Sequence, residues 1–252
     1  MSERTERLEV GERPRVELRF GSSDTWVRKG AEGQIDIVIR GKNVDAVIIE
    51  QFGDHVRLSQ DRGRRARVRL ELEVPQRTEL QVATGSGNLT TDVPLRALDY
   101  RAGSGDIRAS VIEGDCAIKT GSGDIYLGLV EGRARIVAAS GDVQADQLDG
   151  DSSITTASGD IRIDRASGLT TLKAASGDVE VSEFLGADLT IGTVSGDTAI
   201  GLHAGKRVDL RLSSVSGRVA IPEATPAATE AKGDQRVSVR TVSGDIRIAR
   251  LS

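Results

Sequence analysis

The sequence predicts an all-β protein, a single-stranded β-solenoid (β-helix) with eighteen-residue rungs. Three observations predict this fold. Ser-Gly steps recur at a regular spacing, a second set of glycines falls midway between them, and the residues between turns alternate between apolar and polar. Each rung should therefore contain two main strands and two glycine turns, and an irregular N-terminal β cap should precede the first regular rung.

The Ser-Gly steps define the repeat. The interval between successive step glycines is constant at eighteen residues five times in a row, and the next three intervals are longer by one, three and nine residues. Seven of the nine steps continue as Ser-Gly-Asp. The step glycines, which we expect at structural turns, are Gly87, Gly105, Gly123, Gly141, Gly159, Gly177, Gly196, Gly217 and Gly244. The midway glycines are Gly114, Gly132, Gly150, Gly168, Gly186 and Gly205.

The residues between turns form columns when the repeats are aligned. One column of inward-facing residues lies five positions before each step glycine. Outward-facing basic side chains such as Arg101 and Lys119 follow residues of this column, as expected for a strand. This column contains Val82, Tyr100, Ile118, Ile136, Ile154, Leu172, Ile191 and Leu212. Matching columns predict that each rung stacks in register on the previous one, about 4.8 Å away. A left-handed hexapeptide helix has coils of the same length, but it would place the repeated aspartate at an aliphatic position.

The chain is expected to form one continuous domain with five segments. Residues 1–13 are expected to form a flexible N-terminus, and residues 14–77 the β cap with degenerate rungs. The regular solenoid is expected to cover residues 78–221. A surface loop over residues 222–235 then precedes a C-terminal strand or cap over residues 236–252. The one-residue and three-residue excesses follow the midway glycines Gly186 and Gly205, which indicates that insertions collect at one edge of the coil.

Composition excludes several classes of protein. The 38 acidic residues outnumber the 34 basic ones, and a net charge of −4 disfavours general binding to nucleic acid or to an anionic membrane. A single cysteine, Cys116, excludes an internal disulfide framework. The start of the chain lacks the apolar core of a signal peptide, and no window approaches 18 consecutive apolar residues. These features predict a cytoplasmic protein without membrane insertion.

The repeated aspartate is the most conspicuous candidate for chemistry. The column contains Asp106, Asp124, Asp142, Asp160, Asp178, Asp197 and Asp245. Stacked carboxylates repel one another by roughly 1 kcal/mol at the dielectric constant of water, so a compensating interaction is required. The favoured interpretation is that each aspartate accepts hydrogen bonds from turn amides, as in an Asx turn. The alternative is a row of calcium sites, which use oxygen ligands.

The sequence predicts no catalytic residue and no cofactor. His55 and His203 lie in separate irregular regions, so they cannot supply a three-histidine metal site or an evident triad. Ser104 and Ser122 recur in every turn, whereas a nucleophile would be unique. Cys116 occupies an apolar column and is expected to be an inert core residue.

Two features are candidates for an interaction site. Trp26 follows the first degenerate turn at an outward position, where it would either pack on the cap or anchor a partner. Arg62, Arg64 and Arg65 form a basic turn that is the best local candidate for binding an anion.

The segments Leu80–Gly87 and Val237–Ile248, with their Ser-Gly and Ser-Gly-Asp-Ile turns, resemble a bacterial family of β-strand-repeat domains of unknown function, the putative-adhesin or toastrack-like domains. The resemblance extends from about Val16 onward. It implies a β-solenoid without known catalytic residues, which in part of the family is associated with envelope-stress proteins.

Two functions follow from these expectations. The leading one is a non-catalytic scaffold or protein-interaction module, which binds an unidentified protein or associates with itself. The alternative is an envelope-associated, adhesin-like module that binds a glycan, a lipid headgroup or calcium. An enzyme is disfavoured because the non-repeating polar residues form no evident cluster.

Overall fold

A computed structural model describes residues 2–60, 67–203, 207–221 and 234–251. The chain divides into two compact units, Met1–Gly128 and Leu129–Ser252. The described residues are almost entirely in strands, joined by short turns and one 3₁₀ turn at Val44–Ala46. This confirms the predicted all-β class, in which parallel strands stack as in a β-solenoid.

Twelve strands begin in the first unit. They are β1 Ser2–Glu9, β2 Arg15–Lys29, β3 Gln34–Lys42, β4 Val47–Phe52, β5 His55–Gln60, β6 Arg67–Val74, β7 Thr78–Ser86, β8 Leu89–Thr91, β9 Leu95–Ser104, β10 Ile107–Ile112, β11 Cys116–Ser122 and β12 Ile125–Val130.

The regular rungs of the first unit stack in parallel and in register. Strand β7 pairs with β9, and β9 pairs with β11, so that Val82, Tyr100 and Ile118 are consecutive neighbours. Strand β8 likewise pairs with β10 through Leu89 and Ile107. Each neighbour lies one full repeat further along the chain, as the spacing predicts.

The first unit does not stack its rungs in sequence order. Strand β2 pairs with β7 and β8 on one side and with β5 and β6 on the other, always in parallel. The rung formed by β5 and β6 therefore lies outside β2, although it comes later in the chain. Antiparallel pairs extend this end, because β3 joins β1 to β6 and β4 pairs with β5.

The N-terminal segment differs from the sequence prediction. Residues 1–13 were expected to be flexible, but Ser2–Glu9 forms strand β1 along its whole length against β3. Ionic contacts support the pairing, since Arg7 donates to Asp36 at 2.6 Å and Arg40 donates to Glu3 at 2.7 Å. The polar composition that indicates flexibility is here the outer surface of an edge strand.

Twelve further strands lie in the second unit. They are β13 Ala134–Ser140, β14 Val143–Leu148, β15 Ser152–Ser158, β16 Ile161–Ala166, β17 Thr170–Ser176, β18 Val179–Phe184, β19 Asp188–Ser195, β20 Thr198–His203, β21 Arg207–Ser216, β22 Val219–Ala220, β23 Asp234–Ser243 and β24 Ile246–Leu251.

The C-terminal strands are inserted into the stack of the second unit. Strands β13, β15, β17 and β19 follow one another in register, but β23 then lies between β19 and β21. On the other sheet, β24 lies between β20 and β22. The C-terminal segment predicted as a strand or cap therefore lies inside the stack rather than at its end.

The inward columns form the core of each unit. The column that begins at Val82 is at most 4% exposed as far as Ile191, and Leu212 is half-exposed because β21 has only β23 beside it among the described residues. Larger apolar side chains such as Tyr100 and Phe184 are fully buried. The alternation that predicts the strands therefore also identifies the core.

Candidate functional site

The step glycines have a backbone conformation that other residues rarely adopt. Their φ angles lie between 113° and 159° at all nine positions. Adjacent rungs also approach closely, since a Cβ atom on Gly105 would lie 2.0 Å from the carbonyl oxygen of Gly87. Glycine is needed for the positive φ and for the close approach.

The repeated aspartates form hydrogen bonds between rungs. Asp160 Oδ1 accepts the backbone N–H of Asp178 at 2.9 Å, and Asp178 Oδ1 accepts that of Asp197 at 2.7 Å. The predicted turn-amide acceptor is therefore present, but its donor belongs to the next rung rather than to an Asx turn of its own. We call this series of side chains the carboxylate ladder; its described bonds join Asp24, Asn88, Asp106 and Asp124 in the first unit, and Asp142, Asp160, Asp178, Asp197, Asp245 and Arg218 in the second.

Sequence reasoning missed the first member of the ladder. Asp24 Oδ1 accepts the N–H of Asn88 at 3.1 Å, although Ser23 stands where the other turns have glycine. The signal was Ser22-Ser23-Asp24, which differs from Ser-Gly-Asp at one position. At the other end, the backbone N–H of Arg218 donates to Asp245, and Arg218 has no carboxylate to offer a further rung. Arg218 therefore ends the series of described ladder bonds.

The carboxylate ladder offers poor geometry for calcium. Each rung contributes one carboxylate, and the described bonds occupy Oδ1 with an amide of the next rung, whereas Ca²⁺ takes six to eight oxygen ligands. The outer oxygen of Asp160 accepts from Arg162 at 2.7 Å. Within residues 2–60, 67–203, 207–221 and 234–251, no three His, Cys, Asp or Glu side chains are grouped to hold a metal ion. The calcium row thus stays a prediction without geometric support.

The two histidines lie beside separate carboxylates, each of which pairs with arginine. His55 Nε2 lies 3.2 Å from Glu17, which also pairs with Arg57 at 2.8 Å and with Arg19. Burial alone would raise the pKa of Glu17, but hydrogen bonds from Arg57 and Arg19 outweigh it and lower the pKa. These groups lie on strand faces as fixed ion pairs.

His203 pairs with Glu183 in the second unit, and Arg165 also donates to Glu183 at 2.5 Å. The hydrogen bonds from His203 and then Arg165 lower the pKa of Glu183.

Cys116 is buried in the core, and burial together with the nearby charges of Asp115 and Asp99 raises its pKa to about 12. About one thiol in ten thousand is therefore ionised at pH 8. We expect iodoacetamide to label the native protein more than a hundredfold more slowly than the protein unfolded in guanidinium chloride, measured by intact mass. Labelling at the same rate in both states would contradict the buried position.

Trp26 lies on the outer face of its sheet, because its neighbours Thr25 and Val27 point inward and are buried. Its cross-strand neighbour on β8 is Thr90, whose own neighbour on β10 is Arg108. The guanidinium of Arg108 lies over the ring of Tyr126, 4.9 Å from its centroid. We call Trp26, Thr90, Arg108 and Tyr126 the Trp26 row.

A second arginine orders the tryptophan. The guanidinium of Arg69 on β6 lies 4.9 Å from the centroid of the Trp26 ring. Strand β6 is next to β2 only because the β5–β6 rung stacks outside it, so the sequence could not have indicated this contact. Trp26 lies at an outward position, as predicted. Its contacts are compatible both with packing on the cap and with anchoring a partner.

Arg62, Arg64 and Arg65 lie outside the described residues. The structure does describe the basic residues that follow them on β6, Arg67 and Arg69, and both are exposed.

No helix in the described part of the chain is long and apolar enough to cross a membrane.

Comparison with known proteins gives a family and a fold. The model of the family described as Toastrack DUF4097 matches residues 15–249. No curated protein matches the chain. A putative adhesin from Bacteroides fragilis is 12% identical with a TM-score of 0.51, and the match covers 99% of this chain and 97% of that one. A putative lipid binding protein from Parabacteroides distasonis is 12% identical with a TM-score of 0.45, over 99% and 97%. The first similarity indicates a shared fold.

Proposed function

The chain belongs to the Toastrack DUF4097 family, and on this β-solenoid scaffold we propose that it is a non-catalytic protein-interaction module whose partner binds the Trp26 row. The observation that carries this proposal is the position of two aromatic side chains on one outer face. Trp26 and Tyr126 are both half-buried and point away from the core, and an arginine lies over each ring.

The chain has few aromatic residues, which makes the outward positions of Trp26 and Tyr126 informative. The chain has one tryptophan, two tyrosines and three phenylalanines. Tyr100, Phe20 and Phe184 are buried, so core packing accounts for them, and Phe52 is exposed at the end of the antiparallel strand β4. Trp26 and Tyr126 are the two aromatic residues at outward positions of the parallel strands. Tryptophan, tyrosine and arginine are the residues that most often dominate the binding energy of protein interfaces.

The Trp26 row is also suited to binding because it is rigid. Its members lie on β2, β8, β10 and β12, and four parallel strands span about 14 Å from first to last. Each aromatic ring is already held by a cation–π contact, so that little side-chain entropy would be lost on binding. The ion-pair clusters around Glu17 and Glu183 have fixed partners, which supports a binding role over a catalytic one.

A site-specific crosslink tests the proposal. We expect p-benzoylphenylalanine at Thr90, inside the row, to crosslink one protein reproducibly in cells, and the same residue at Thr171 to give no such adduct. Thr171 is a matched control because it is also a half-buried, outward-facing threonine of a parallel strand.

Trp26→Ala and Tyr126→Ala should each weaken binding of the purified partner about thirtyfold or more, the cost of losing a hot spot of about 2 kcal/mol.

The outcomes separate the alternatives. Equal crosslinking at Thr90 and Thr171, or unchanged binding in both alanine variants, would reject the Trp26 row as the interface. An adduct with twice the mass of the chain would identify self-association through the row. The adhesin-like alternative requires a glycan, lipid headgroup or calcium ligand, and it is favoured if neither position gives a protein adduct. The cytoplasmic location stays a prediction.

A further inference from the structure

A surface pocket in the first unit has four cationic residues in its lining. Its volume is about 830 Å³, and its lining includes Arg40, Lys42, Arg67 and Arg69 but only one carboxylate, that of Asp24. We call it the basic pocket. Sites for small molecules typically have volumes of this size, and the pocket is much larger than a single inorganic ion requires.

The cations of the basic pocket face one another across an antiparallel strand pair. Arg40 on β3 is directly opposite Arg69 on β6, and Lys42 is opposite Arg67. Between these pairs, Gly41 and Val68 are buried, which places the four charged side chains together on the outer face. Like charges directly opposite each other destabilise a sheet.

Charged cross-strand neighbours elsewhere in the described residues include like charges, as at Arg101 and Lys119, as well as opposite charges. Strand β16 faces β18 with Arg162 opposite Glu180 and Arg165 opposite Glu183. These opposite charges form ion pairs, at 4.0 Å for Arg162 and 2.5 Å for Arg165. The basic pocket differs from these sites because two cationic pairs, Arg40 with Arg69 and Lys42 with Arg67, follow each other on one face of the sheet.

Part of the positive charge is left without an internal counterion. Arg40 is compensated by Glu3 at 2.7 Å and by Glu71. Lys42 and Arg67 are exposed and form no ion pair with another residue of the described segments. The one carboxylate of the pocket, that of Asp24, lies on the strand beside Arg69 and forms no ion pair with Lys42 or Arg67.

We propose that the basic pocket binds a phosphate-bearing ligand. The planar guanidinium groups of Arg67 and Arg69 match the oxygens of a phosphate in pairs, and the ammonium of Lys42 adds a compact charge. A bound phosphate would replace the repulsion between Lys42 and Arg67 by attraction to a shared anion. The volume of the pocket indicates a phosphate ester rather than the free ion. This inference goes beyond the proposed protein interaction and does not depend on it.

Thermal unfolding with sodium pyrophosphate tests the site, at constant ionic strength with sodium chloride as reference. Pyrophosphate should raise the Tm of the wild-type protein. The double variant Lys42→Gln, Arg67→Gln should have a ligand-free Tm equal to or above that of the wild type, because it removes a like-charge pair. Its pyrophosphate affinity, measured by calorimetry, should be at least tenfold weaker. Arg135→Gln, an exposed strand arginine in the second unit, is the matched control and should respond like the wild type.

Vesicle sedimentation identifies the source of the phosphate. Wild-type protein is mixed with phosphatidylcholine vesicles, with and without one-fifth phosphatidic acid. Binding to the acidic vesicles that the double variant loses indicates a lipid headgroup, whereas a pyrophosphate response without vesicle binding indicates a soluble phosphate ester. The proposal is overturned if the wild type responds to neither probe, or if the double variant is folded and retains the response. Arg69→Gln should also weaken the response to pyrophosphate, and Tyr126→Ala should leave both responses intact.

Discussion

Replacing Gly196 by alanine is expected to lower the free energy of unfolding of the second unit by at least about 3 kcal/mol. Its φ is 140°, in a region where a side chain is strained, and its new Cβ would lie 2.1 Å from the carbonyl oxygen of Gly177. That oxygen belongs to the backbone of the adjacent rung, so relief requires the two rungs to separate. The bond from the Asp197 amide to Asp178 is at the same turn and would be distorted.

Gly192 provides the matched control four residues earlier in the same rung. A Cβ on Gly192 has no heavy atom within 4 Å, and the residue lies inside strand β19. Alanine there should stabilise the protein by about 0.5–1 kcal/mol, because glycine in a strand loses more conformational entropy on folding. Urea unfolding of both variants, followed by hydrogen exchange in the second unit, measures the difference. Equal effects of the two substitutions would mean that the turn does not require glycine.

The repeat geometry could be predicted from sequence because it is set by local features. A positive φ at Gly105 and an inward side chain at Ile118 each follow from a few neighbouring residues. Repetition then fixes the pairing register, since any other alignment would break the columns. The ladder bond from the amide of Asp124 to Asp106 was not predicted in this form, because donor and acceptor belong to different rungs.

The order of the rungs could not be predicted in the same way. Rungs with identical columns present equivalent surfaces, so pattern matching does not determine which one stacks on which. Val237 of β23 pairs with Leu189 of β19. The same column in β21 would fit β19 equally well. The basic pocket and the contact of Arg69 with Trp26 both depend on strand pairings outside sequence order, and both were therefore beyond sequence reasoning.

Ending the chain after residue 233 is expected to disrupt the second unit far more than the loss of a terminal rung would. The deletion removes β23 and β24 from inside the stack, including Val237, Val239 and Ile246, which are all completely buried. Burial of each such side chain is worth about 1.5–3 kcal/mol, so the loss is comparable to the stability of a small domain. Strands β21 and β22 would also lose the strands with which they pair.

Hydrogen exchange and complementation can establish the cause of this loss. In the truncated protein, the amides of Leu189–Ser195 should lose most of their protection, since β23 is the outer neighbour of β19. A synthetic peptide of residues 234–251 should restore it, and the same peptide with Val239→Asp should not, because position 239 is in the core. If the truncated protein keeps these amides protected without peptide, β23 is not needed to protect β19, and the loss of stability cannot be assigned to the missing inner rung.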